Sequence, residues 1–140
     1  MATVQRITNA GERRLLTRML GAGSNPNLRL RLFINNLTVT SSVVASDFTP
    51  PAFGGYAAKT LAAADWSTPV TTDNKGDIEH VEKEWAYTGA TEEACCGYFI
   101  DDPTDDTVIL VHKFDTPRQI VGDGAIAVTP RLLAYDPSDA

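Results

Sequence analysis

The residues that could do chemistry fall in a few places, and the most concentrated is acidic. Asp101, Asp102, Asp105 and Asp106 stand within one short stretch. Carboxylates at that density resemble a hard-cation loop, but calcium takes about six to eight oxygens converging from a defined loop. An EF-hand alternates its acids, centres on a Gly and ends on a Glu, and this stretch lacks that spacing. Asp also initiates turns by accepting hydrogen bonds from nearby backbone. A solvated hairpin turn is therefore the simpler reading, with weak Ca²⁺ binding as the sharper one.

His80 and His112 are the two histidines, and imidazole is the side chain that titrates near neutrality. A Ser-His-Asp centre needs an activated nucleophile, and the Gly-x-Ser-x-Gly turn is absent. His112 lies in an apolar stretch, which predicts a packed or edge imidazole. Cys95 and Cys96 are adjacent. Ordinary disulfides want Cα atoms about 5.5 Å apart. Two cysteines and two histidines make no zinc-site spacing. The pair reads as reduced thiols at the start of a strand, one facing in and one out. A thiolate pair with His112 is the reactive alternative.

Glu79, Glu82 and Glu84 could flank a sugar as acid and base. Strand alternation sends Glu79 to one face and the other two to the opposite face, so a solvated edge is simpler. No Gly-rich phosphate loop is present. Asn36-Leu37-Thr38 fits a glycosylation sequon, although Asn36 also reads as a turn residue. The residues thus predict no catalytic site, no cofactor and no metal. Phe48, Phe53, Tyr56, Trp66, Trp85, Tyr87, Tyr98 and Phe99 mostly read as core. Phe48, Phe53 and Tyr56 also flank the loop Thr49-Pro50-Pro51-Ala52-Phe53-Gly54-Gly55, and the alternative is that they are exposed there, as a subunit contact or a carbohydrate platform.

The elements that must position these groups change character along the chain. A helix is predicted over residues 10–20, with Asn9 as N-cap and Glu12 at the capping-box position. Leu15, Leu16, Met19 and Leu20 share one face of it. Gly21 suits the position after the last turn, and residues 21–27 read as a flexible linker. From Leu28 the period becomes two. Leu28, Leu30, Leu32 and Ile34 point one way; Arg29, Arg31 and Phe33 point the other. Further strands are predicted at 37–44, 56–61, 66–72, 78–88, 95–101, 107–115 and 125–135. Asp73-Asn74-Lys75-Gly76, residues 102–106 and Asp123-Gly124 are the predicted turns. Glu and Lys make a helix the rival reading of 78–88, but its aromatics and flanking turns favour a strand. The whole is a mostly β chain: an antiparallel β-sandwich, jelly-roll or immunoglobulin-like, of seven or eight strands with one N-terminal helix. Residues 1–27 form an arm and linker, and residues 28–140 the sandwich.

The chain has 140 residues, of which 43% are hydrophobic and 21% charged. Such a length and composition fit one globular domain. No run approaches the roughly 18 apolar residues of a membrane span. Arg6, Glu12, Arg13, Arg14 and Arg18 interrupt any apolar leader, so synthesis in the cytosol without export is expected. Charge is uneven. Residues 1–32 hold six arginines against Glu12 alone, a net of +5, and the chain total of −6 leaves −11 for the remainder. An acidic body argues against nucleic acid as a partner, since phosphate neutralisation needs clustered cations. The basic segment reads either as a solvated face or as a docking segment for an acidic partner. In the docking reading Arg13, Arg14, Leu15, Leu16, Arg18, Met19, Leu20, Arg29 and Arg31 meet the partner, together with Phe53 and Tyr56.

Five stretches carry a resemblance to a known group. They are Leu30-Arg31-Leu32-Phe33-Ile34-Asn35-Asn36-Leu37-Thr38, Ser46-Asp47-Phe48-Thr49, Gly55-Tyr56-Ala57-Ala58-Lys59-Thr60-Leu61, Gly97-Tyr98-Phe99-Ile100 and Phe114-Asp115-Thr116-Pro117-Arg118. In this order they resemble a family of small structural proteins encoded by tailed bacteriophages. The resemblance implies a non-enzymatic virion component, a sandwich that decorates or cements the capsid head. Its implied partners are the major capsid protein or another virion protein. A homo-oligomer is expected, and a trimer suits capsid local symmetry. The alternative it leaves is a tail-fibre or baseplate module that binds a host-surface glycan or receptor through exposed Phe53, Tyr56 or Trp66. On the first reading, deleting residues 1–27 leaves a folded monomer that no longer joins the particle.

Overall fold

The computed structural model describes residues 4–20, 27–72 and 75–134. In order the elements are β1 (Val4–Ile7), α1 (Asn9–Leu20), β2 (Leu28–Phe33), β3 (Lys59–Leu61), β4 (Val70–Thr72), β5 (Lys75–Glu79), β6 (Lys83–Asp102), β7 (Thr107–Val128) and β8 (Arg131–Ala134). They form a five-stranded sheet, β1-β7-β6-β2-β3, and a three-stranded sheet, β4-β5-β8. Every pairing is antiparallel. The chain is therefore mostly β with one helix, and its layers are sandwich-like, as the period-two patterning predicts.

The long β6–β7 ribbon dominates. Its central residues, Cys95–Asp102, are all buried, because both faces of the sheet are covered. On one face Tyr98 and Ile100 pack with Leu30, Leu32, Leu110 and Ile120. On the other Cys96 and Phe99 pack with Phe33, Val108 and Val111. Phe48 closes this second core, its ring centroid 4.1 Å from Phe99 and 5.0 Å from Phe33. The stretch 37–44, expected as a strand, contains none. Its apolar residues Leu37, Val39 and Val43 instead lie over the second face as a cover.

Several boundaries move for physical reasons. Only Lys59–Leu61 of 56–61 is strand, because Tyr56 turns toward the sheet and its hydroxyl accepts from the Leu32 amide at 3.0 Å. Only Val70–Thr72 of 66–72 is strand, Trp66 making an isolated bridge to His80. The predicted strand 78–88 is divided where the His80 amide leaves its ladder for the Pro130 carbonyl. Asp73 and Asn74 lie outside the described residues. The helix begins at Asn9, and Thr8 rather than Asn9 is its N-cap: the Thr8 hydroxyl accepts from the Gly11 amide at 2.9 Å. A side-chain oxygen at that position satisfies one of the free amides of the first turn.

Asp123-Gly124 does not reverse the chain. β7 runs through it, and the ribbon bends there. Gly89 has a φ of 60° and Gly122 a φ of 64°. Glycine adopts this left-handed conformation without strain. The Asp123 carboxylate holds the bend by accepting from the Gly89 amide at 2.8 Å. Arg118 donates to the Ala127 carbonyl, nine residues along the same strand, at 2.6 Å. A straight strand of that length would span ~30 Å. The strand therefore folds back, which brings Trp85, Ile126 and Val128 onto the first core.

The N-terminal segment is packed on the sheet and does not stand apart from it. β1 pairs with β7 from Val4 opposite Lys113 to Ile7 opposite Leu110. Thr8 is buried and its hydroxyl donates to the Val108 carbonyl. The division at residue 27, drawn from composition, thus separates residues that pack together.

Candidate functional site

The cationic residues predicted to dock converge on the acidic turn of their own chain. β2 and β6 pair so that Arg29 stands opposite Asp101. The Arg29 guanidinium then forks onto both Asp101 oxygens, Nε at 2.9 Å and Nη2 at 2.7 Å, and Nη2 reaches Asp106 at 2.5 Å. Arg31 adds Nη2 to Asp101 Oδ2 at 2.8 Å. From α1, Arg14 binds Asp102 and, at 2.5 Å, Asp105. Asp101 and Asp102 have no exposed surface. Forked arginine pairs are the geometry that a buried carboxylate requires.

The electrostatics follow. The hydrogen bond from Arg29 to Asp101 outweighs desolvation, and the guanidinium is held well above its ordinary value. At Asp102 burial alone would raise the carboxyl. Bonds from the Thr104 amide and hydroxyl, with Arg14, outweigh it and hold the group below the usual carboxylate range. The acidic turn is thus a hairpin turn, clamped by arginines. Among the described residues no group of three or more His, Cys, Asp or Glu side chains is arranged to hold a metal ion.

Arg14, Arg29 and Arg31, three of the residues in the docking reading, pair with carboxylates of their own chain. Arg13 is exposed, and Leu15 packs on the first core. The side chains of Leu16, Arg18, Met19 and Leu20 lie outside the described residues.

Of the two readings of the loop aromatics, the core one holds for Phe48 and for Phe53, which is 6% exposed. Glu93 explains why: its carboxylate accepts from the Ala52 amide at 3.1 Å and the Phe53 amide at 3.2 Å, which pins the Pro-Gly loop to β6. Phe53 then sits edge-on to Tyr56, and Tyr56 is stacked with Trp85. Trp66 is half-buried, edge-on to His80. Phe53 thus turns into the fold, while Tyr56 and Trp66 are half-buried beside their partners.

The remaining candidates are packed groups. Cys95 and Cys96 are free and both buried, one in each core, where an inward and an outward thiol were expected. Burial pushes the Cys95 thiol up to about 11, so it stays protonated and unreactive at neutral pH. His112 stacks on Tyr98 at 4.8 Å, and burial, aided by Arg118, pulls its titration below the ordinary value. His80 is buried with its ring nitrogens 3.0 and 3.1 Å from the Val81 and Ala62 carbonyls.

One group of residues escaped the sequence. A cavity of about 220 Å³ opens beside the arginines, lined by Arg29, Arg31, Leu32, Ala45, Phe48, Pro50, Tyr56, Ala58 and Phe99. Arg31 lies over the Phe99 ring at 4.8 Å. The period-two pattern does place Arg31 and Phe33 on one face, but nothing local says that the 45–58 loop roofs it. No protein-family model matches this chain, and no curated protein sequence matches it.

Proposed function

We propose that the chain is a structural protein of a phage virion, a decoration or cement protein that binds and stabilises the assembled head. One observation carries this reading: the stretches that resemble phage structural proteins meet in space. Phe33, Phe48 and Phe99 come from three of them and build the second core. A fourth supplies Tyr56, which caps the Leu32 amide, and β3, which pairs with β2. The fifth, Phe114–Arg118, lies where β7 bulges: two steps along β6, from Cys95 to Gly97, face five along β7, from Arg118 to Lys113. The resemblance therefore follows the packed scaffold of a sandwich, which supports kinship of fold with such proteins.

A cement protein gains occupancy by mass action on a lattice that presents many equivalent sites. Its partner is the major capsid protein or another virion protein, and a trimer of this chain suits local three-fold positions. With Arg14, Arg29 and Arg31 paired inside the chain, other surfaces are open to docking as well. The bent end of the ribbon is one, where Val121 is 54% exposed.

The deciding measurement is copy number in purified particles, by quantitative mass spectrometry. A head decoration protein is expected at hundreds of copies, following icosahedral symmetry; about a dozen or fewer would place it in the tail or connector and overturn the reading.

A further inference from the structure

The cavity of about 220 Å³ on the second face of the sheet joins aromatic carbon from Phe48 and Phe99 to polar atoms of Arg31 and Tyr56. Its polar side is unfinished in three respects. Arg31 and Arg29 both donate to Oδ2 of Asp101, at 2.8 and 2.7 Å, so one buried carboxylate serves two guanidiniums. Asp106, the other acid bound to Arg29, has a side chain 64% exposed. Solvent screens a charge so placed. Arg31 Nε is the one buried side-chain nitrogen or oxygen, among the described residues, with no hydrogen-bond partner. The Tyr56 hydroxyl accepts from the Leu32 amide, which leaves its own proton to donate.

Small binding sites combine an apolar lining with a few convergent polar groups. A cavity of roughly 150 Å³ takes up benzene, so this one admits a single ring with a charged group attached. The geometry points to a binding site for an aromatic carboxylate, its ring against Phe48 and Phe99 and its oxygens toward the Arg31 guanidinium and the Tyr56 hydroxyl. The carboxylate adds a charge-assisted acceptor at the reachable part of the Arg31 guanidinium, whose side chain is 28% exposed. A free aromatic acid and the C-terminal Phe of another polypeptide share this chemistry. The site does not depend on the virion reading.

The test is an NMR titration of the full chain at neutral pH with benzoate, benzamide, and acetyl-Gly-Gly-Phe as free acid and as amide. Benzoate is expected to shift the Leu32, Tyr56 and Phe99 amides and the Arg31 Nε–H signal saturably. Benzamide should bind at least about tenfold more weakly, having lost a charge-assisted bond. Ala45→Leu fills the cavity without touching the Arg31–Asp101 pair, and it should abolish the shifts while the rest of the spectrum stays native. Tighter binding of the peptide acid than of benzoate identifies a chain terminus as the source; the reverse identifies a free acid. Either order supports the site. Absence of saturable shifts, equal binding of benzamide, or undiminished binding by the Ala45→Leu variant overturns it.

Discussion

Asp102 ionises below an ordinary carboxylate although it has no exposed surface, because the bonds of Thr104 and Arg14 outweigh its desolvation. Such a group stabilises the fold above its unfolded value, about 3.9. That contribution is lost as pH falls through the lower folded value, where the folded carboxylate must take a proton. His112 acts in the same sense at higher pH. Burial lowers its folded value, so between about 6.5 and that value the unfolded chain binds the extra proton. Stability should therefore decline twice on acidification, gently below about 6.5 and more steeply below about 4. Urea midpoints measured across this range check it. His112→Gln should remove the upper slope and Asp102→Asn reduce the lower one, to which Asp105, held low by Thr107 and Arg14, also contributes; a midpoint that stays flat in the wild type would contradict both assignments. The sequence made half of this legible. It showed a basic segment, an acidic turn and an uneven charge. It could not show that Arg29 stands opposite Asp101, because strand register joins residues far apart in the chain.

At the scale of elements, alternation located β2 within a residue and the turn after Asp102 correctly. It failed where one element carries a glycine that looks like an end. Asp123-Gly124 has hairpin composition, yet Asp123 serves Gly89 across the ribbon and the strand continues. It failed again at 37–44, where apolar residues cover a sheet face and join no ladder. The join between the two sheets was invisible for another reason, since it rests on side chains: the Tyr98 hydroxyl accepts from the Arg131 amide at 3.4 Å, and Gln5 makes two further bonds. Gln5 of β1 donates Nε2 to the Arg131 carbonyl at 2.6 Å, and its Oε1 accepts from the Leu133 amide at 3.1 Å. Its amide thus stands in for the strand that β8 lacks on that side. Gln5→Ala leaves both backbone groups of β8 without this partner, and a loss of about 1–3 kcal/mol in urea unfolding is expected. Because β8 pairs with β5, faster amide exchange should follow in both strands while the β2–β6 ladder keeps its protection. Uniform change across the two sheets would mean that Gln5 does not hold β8 to the larger sheet.

For the whole molecule, the charge division that separated arm from body is the same division that holds them together. β1 supplies the edge strand beside β7, and α1 lies so close to it that a Cβ on Gly11 would overlap the Ile109 backbone. Arg14 then reaches the turn between β6 and β7 and meets Asp102. Residues 4–20 are consequently built into the fold. Deleting residues 1–20 removes a ladder, uncovers the β7 edge from Leu110 to Lys113 and takes Arg14 from the buried Asp102. Breaking one partner of a buried pair costs about 3 kcal/mol or more, and an uncovered edge invites pairing with another chain. The truncated chain should unfold at lower urea and associate as its concentration rises, in contrast to the folded, inert monomer expected of a detachable arm. Arg14→Met in the full chain separates the two effects: it removes the charge pair, keeps β1 over the edge, and should lower the urea midpoint without association. Sedimentation velocity alongside urea unfolding reads both. A truncated chain that stays monomeric at the wild-type midpoint would show that the first elements lie on the sheet without supporting it.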